Sequence, residues 1–137
     1  MTTILEGLRE YLSQCPALRE VHTDLAGEKD GSCALVPQSE KVVRESITGA
    51  VVRTGEFRLH LRFALSSERE RQENHTKLEE MTGWLDKRRA QGILPELPEG
   101  NTALDLQCVR GALKRAEGGG TGIYELPLRL TYEKEGE

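Results

Sequence analysis

The stretch from Phe57 to Leu65 constrains the fold more than any other part of this chain. Phe57, Leu59, Leu61, Phe63 and Leu65 alternate with Arg58, His60, Arg62 and Ala64. Successive side chains of a strand point to opposite faces, so strict alternation marks a strand with one dry face and one wet face. A helix would scatter the same apolar residues around its circumference. The dry set must therefore lie on a core, and the wet set carries two arginines and a histidine to the opposite surface. A second period-two run closes the chain. Tyr124, Leu126, Leu128, Leu130 and Tyr132 share one face, with Glu125, Arg129 and Thr131 among those on the other.

Two helices are predicted to cover the dry face. Thr3 and Glu6 form a capping box, in which hydroxyl and carboxylate each satisfy an amide left unpaired at a helix start. Ile4, Leu8, Tyr11 and Leu12 follow at helical spacing, and Pro16 stops the helix, so it spans about 3–14. Ser67 and Glu70 form a second capping box. Leu78, Met81, Trp84 and Leu85 make the apolar stripe of that helix, Lys87, Arg88 and Arg89 suit the dipole of its last turns, and Gly92 stands where a terminating glycine belongs. Ile93 and Leu94 then fold back on the last turn, and Pro95 and Pro98 make an extended connector.

The remaining segments read as strands and turns. Residues 21–25 form a short edge strand, 26–31 a turn, and 33–37 a short strand ended by Pro37. Residues 41–47 and the run from Ala50 onward form a long hairpin turning at Thr48-Gly49. An arm over 41–56 is expected to project from the body, with Gly55 at a bulge or bend between arm and core strand. Leu104, Leu106 and Cys108 alternate in one further strand, and 117–122 is a glycine-rich turn before the last. The fold class is α+β: an antiparallel sheet with two helices packed on one face, in one domain spanning 1–137.

Composition excludes several functions. At 137 residues the chain has one core's worth of surface to bury. It is 31% charged with a net charge of −4, whereas nucleic-acid binders show a basic excess. No apolar run approaches the roughly 18 residues of a membrane span, and Met1-Thr2-Thr3-Ile4 does not open a signal peptide, so an intracellular protein is expected. Cys15, Cys33 and Cys108 are odd in number and unclustered, which suits reduced thiols packed as small hydrophobes and not a zinc site.

No motif carries catalysis. Gly118-Gly119-Gly120-Thr121-Gly122 looks like a phosphate loop, but such a loop opens a helix, and this one precedes a strand. His22, His60 and His75 lack the spacing of metal or catalytic histidines. The wet face admits two readings. It is a solvated sheet face, or its arginines and histidine meet another subunit, since guanidinium groups pair with carboxylates. The acidic first turn of the second helix, with Glu68, Glu70 and Glu73, would be one complement, from the same chain or a neighbour. Arg44, Arg53, Arg58, His60, Arg62, Glu68 and Glu70 are the candidate interface residues. No catalytic, cofactor or metal residue is predicted.

Lys41 to Leu65 resembles a family of small bacteriophage and prophage minor capsid or tail-terminator (tail-completion) proteins. Their pattern is a valine-basic strand, a glycine turn, and an alternating strand ending as Leu59 to Glu68 does here, L-H-L-R-F-A-L-S-S-E. L-x-x-Y-L-x-x-C-P-x-L at Leu8 to Leu18, the tryptophan helix, Gly92-Ile93-Leu94-Pro95 followed by L-P-E-G-N-T-A, and L-x-L-T-Y at Leu128 to Tyr132 extend the likeness over nearly the whole chain. The resemblance implies a small α+β virion protein that assembles as a ring, usually a hexamer, capping the tail tube and joining it to the head. Its implied partners are further copies of itself, the major tail tube protein and head-tail connector proteins, without membrane or sequence-specific nucleic acid. Its implied location is the virion, with assembly in the bacterial cytoplasm. The wet face here is richer in arginine than the family pattern. The alternatives are a small protein- or peptide-binding module using the exposed sheet face, and a small enzyme, which the absence of clustered nucleophile, base and oxyanion groups disfavours.

Overall fold

The computed structural model describes residues 3–18, 21–23, 33–109, 111–117 and 120–136, with the backbone alone at 23, 115 and 117. In chain order the elements are α1 (Ile4–Leu12), β1 (Val21–Thr23), β2 (Cys33–Glu45), β3 (Val51–Ala64), α2 (Glu68–Ala90), β4 (Asn101–Cys108), β5 (Ala112–Glu117) and β6 (Thr121–Lys134). All six strands join one sheet in the order β1-β2-β3-β6-β4, with β5 also paired to β6. This is an α+β fold.

The alternating run lies in β3, between β2 and β6. Phe57, Leu59, Leu61 and Phe63 are buried in one core cluster with Tyr124, Leu126, Leu128, Leu130 and Tyr132 of β6. Leu8, Tyr11 and Leu12 of α1 and Leu78, Met81 and Leu85 of α2 join the same cluster, so both helices cover the same sheet face. Each large aliphatic or aromatic side chain buried there contributes roughly 1.5–3 kcal/mol. Tyr11 and Trp84 tie the two helices together with ring centroids 5.4 Å apart. The Arg88 guanidinium lies over the Trp84 ring, 4.4 Å from its centroid.

The helix ends follow the sequence signals. Thr3 Oγ1 accepts from the Glu6 amide at 3.1 Å, and Ser67 Oγ accepts from the Glu70 amide at 3.1 Å. At the other end of α2, the Gly92 amide donates to the Arg89 carbonyl and the Ile93 amide to the Arg88 carbonyl. Gly92 has φ +74°, so a residue with a side chain would be strained there. Leu94 then packs on the core, and Tyr11 Oη donates to the Ile93 carbonyl at 2.7 Å.

Four features differ from the sequence reading. The sheet is mixed: β1 runs parallel to β2, pairing Val21–Thr23 with Cys33–Leu35. The two strands expected at 33–37 and 41–47 are one continuous β2. Pro37 sits in it beyond the part that β1 pairs, and a register shift follows between Pro37 and Ser39. β5 is an additional strand. It pairs with the first part of β6, while β4 pairs with the last part, so β6 is flanked along most of its length. Gly55 is not a bulge; it pairs in register with Glu40 and Leu130. A Cβ there would lie 2.9 Å from the Phe57 ring, so the glycine makes room for the aromatic two residues on. The turn expected at 26–31, and residues 24 and 25 of the expected edge strand, lie outside the described residues. So do Gly118 and Gly119 of the glycine-rich segment, which joins β5 to β6 through the pair Glu117–Thr121.

Candidate functional site

The face of the sheet away from the helices is set by strand parity. Arg58, His60 and Arg62 point there from β3, and Glu125 and Arg129 from β6, because Arg58 pairs with Pro127, His60 with Glu125 and Arg62 with Ile123. Glu125 gathers the basic side chains. Its carboxylate accepts from Lys114 Nζ at 2.7 Å, meets His60 Nε2 at 3.0 Å and accepts from Arg58 Nη1 at 3.2 Å. Its side chain is 19% exposed. Burial alone would push this carboxyl upward, but the hydrogen bonds from Lys114 and His60 and the charges of Lys114 and Arg58 outweigh it. The net result holds the carboxyl below its ordinary value. Beside it, Arg129 Nε donates to Glu56 at 2.9 Å. A hollow of about 360 Å³ on this face is lined by Gln38, Ser39, Lys41, Thr54, Glu56 and Arg58.

The structure thus brings Arg58 and His60 together on a carboxylate of their own chain. That carboxylate is Glu125, not the acidic turn of α2. Glu68 pairs with Arg71 at 2.8 Å and Glu73 with Arg69 at 3.1 Å, both within the helix. Glu70 stays at the Ser67 cap. Arg53 belongs to a separate cluster on the helix side of the sheet. Its Nη1 donates to Glu40 at 3.1 Å, and Tyr132 Oη donates to the same carboxylate oxygen at 2.5 Å. Burial first, and then the Glu40 carboxylate, push the Tyr132 hydroxyl well above its usual range. Arg44 lies near the end of β2, paired with Val52.

Glu125, Lys114, Glu40 and Tyr132 are not among the candidate interface residues that the sequence offers. Parity places Glu125 on the wet face, but it does not say that β6 lies beside β3, and only that pairing sets Glu125 against His60. Lys114 lies on the unforeseen β5.

Apolar side chains are exposed near the turn that joins β2 to β3. Val42 is 48% exposed, Val43 57%, and Ile47 in the turn fully so. Burial first, and then the Asp86 carboxylate, raise the Cys108 thiol to about 11, and burial raises Cys15 too, so neither is a thiolate at neutral pH. Among the described residues no group of three or more His, Cys, Asp or Glu is placed to hold a metal ion, and no helix is long and apolar enough to cross a membrane. A groove of about 450 Å³ between α2 and the segment joining β4 to β5 is lined by His75, Leu78, Glu79, Thr82, Asp86 and Gly111.

No family model and no curated protein matches the sequence. Among solved structures, one chain of the "Virion of native gene transfer agent (GTA) particle" is similar in fold, with a TM-score of 0.51 and 14% identity over 96% of this chain and 92% of that one. The likeness covers both chains almost end to end, so it concerns the whole α+β architecture and not a shared supersecondary piece.

Proposed function

We propose that this chain is a structural component of a phage-like virion, acting as a single domain. More finely, it is a tail-terminator or head-tail completion protein that forms a ring capping the tail tube. The observation that carries the reading is the fold shared over 96% of the chain with a virion chain. The motif resemblance from Leu8 to Tyr132 supports the finer assignment. Its partners would be further copies of itself, the major tail tube protein and head-tail connector proteins, and its place the virion. The role is non-enzymatic: the work is done by surfaces, and the two thiols raised in pKa are poor nucleophiles. Ring size, expected to be six, follows from the resemblance alone.

The test is genetic and structural. With the gene deleted from an otherwise complete particle-forming cluster, negative-stain images should show tubes of uncontrolled length and tails without heads. Restoring the gene should restore uniform, head-joined tails. Unchanged particles in the deletion would overturn the reading.

A further inference from the structure

The two long edges of the sheet match one another. Over residues 36–45, β2 pairs only with β3 among the described residues, the last described pair with β1 being Thr23–Leu35. Over its whole length, β4 pairs only with β6 among the described residues. These open edges lie at the same height on opposite sides of a four-stranded section. Followed through β3 and β6, the row that starts at Ser39 ends at Gln107, the row from Lys41 ends at Asp105, and the row from Val42 ends at Ala103. Both edges carry a register shift at this level, between Val42 and Arg44 on β2 and between Ala103 and Asp105 on β4. The residue skipped at each is apolar and exposed: Val43 on one edge, Leu104, 44% exposed, on the other.

Exposed edges are usually guarded by bulges, charges or proline, because their unpaired amides and carbonyls recruit other strands. Bulges serve that end without apolar side chains upon them. Here each bulge presents one, at the same level, and the neighbouring row sets a cation on one edge against an anion on the other. Direction agrees too. β2, β3, β6 and β4 alternate, so β4 of one copy set beside β2 of the next is an antiparallel pair, the same arrangement found throughout this section.

We propose that the β2 edge of one copy pairs with the β4 edge of the next, which continues the sheet from subunit to subunit around a ring. Such a contact is heterologous, one surface meeting a different surface, so it closes only by going full circle. Val43 meets Leu104 across the seam, and Lys41 faces Asp105, which also holds Arg89 at 2.6 Å. The inference rests on the virion reading for where the ring sits, but the edge match stands on the topology alone.

Paired cysteines test it, since a disulfide forms only when Cα atoms come within about 7 Å, the reach of adjacent strands. Two double variants of the full chain, Val43→Cys with Leu104→Cys and Ser39→Cys with Gln107→Cys, would replace the native copy in a particle-producing host, and each would also be oxidised as purified protein. The expected result is a ladder of multimers on non-reducing gels from at least one double variant, with single variants remaining monomeric. Particles that contain the chain but give no ladder from either pair would overturn the edge pairing and leave the virion reading standing. Dimers of a single variant joined through the two introduced cysteines, and not through native Cys108, would overturn it too, because they report a two-fold contact of an edge with itself. A ladder from purified protein, with the chain absent from particles, would support the edge pairing and overturn the virion reading. Absence of both would overturn both.

Discussion

Glu125 is the side chain on which the outer sheet face depends. It has two cationic neighbours, Arg58 and Lys114, with His60 as a third hydrogen-bond partner, so its removal leaves the guanidinium and the ammonium close together without a counter-ion. Hydrogen bonds to a charged group contribute about 1.5–3 kcal/mol each when well shielded, but Arg58 and Lys114 are substantially exposed and solvent screening reduces their share. Glu125→Gln should therefore destabilise the fold by about 1–2 kcal/mol at pH 7, read from urea unfolding. The folded carboxyl titrates below its ordinary value of 4.5, so its contribution is complete above that pH and is lost as pH falls through the folded value. The gap between wild type and Glu125→Gln should accordingly shrink between pH 4.5 and the acid limit. A gap of constant size across that range would mean that the charge is not what the site uses. The same residue shows what was legible beforehand. Its face was readable from alternation, but its partners were not, since they belong to strands 11 to 67 positions away.

At the scale of elements, two helical glycines make opposite predictions from one property. Alanine is better than glycine in a helix interior by about 1 kcal/mol. Gly83 lies in α2, and beyond the backbone of its own turns and its chain neighbours nothing comes within 4 Å of where a Cβ would be, so Gly83→Ala should stabilise by about 0.5–1 kcal/mol. Gly7 lies in α1, and a Cβ there would be 2.6 Å from the Glu96 carbonyl oxygen. Backbone has to move to admit it, which costs about 1–3 kcal/mol and offsets the helical gain. Thermal unfolding of the two variants should shift in opposite directions; a rise for Gly7→Ala would show that α1 does not press on the connector. Both helices were readable in the sequence, caps included, because capping is local chemistry within four residues. β5 was not, since Ala112 to Glu117 lacks a period-two apolar pattern and becomes a strand only because β6 offers it an edge. The division of β2 into two strands failed for a related reason. Pro37 breaks a ladder only where a partner needs its amide, and the part of β2 beyond Leu35 has described partners on one side only.

For the whole molecule, the sheet centre depends on pairings that are distant in sequence: Phe57 lies beside Leu128 and Leu61 beside Tyr124. The two runs of clearest alternation thus become neighbours, each burying its apolar set under the same two helices. Alternation fixed which side chains go inward, but strand order carries no local signal, and the outward edges follow from strand order alone. This makes a prediction about dynamics in the isolated chain. Amides of 57–61 and 128–130 are held in strands flanked on both sides and roofed by the core, so they open only with global unfolding. Residues 38–45 of β2 are exposed, carry two register shifts and have a described partner on one side only. They should exchange at least about 100-fold faster, the ratio given by roughly 2.8 kcal/mol less protection. Hydrogen-deuterium exchange with peptide resolution measures the difference directly. Equal protection in the free chain would mean that something already covers the β2 edge, and the seam proposed between subunits would then lack its open side.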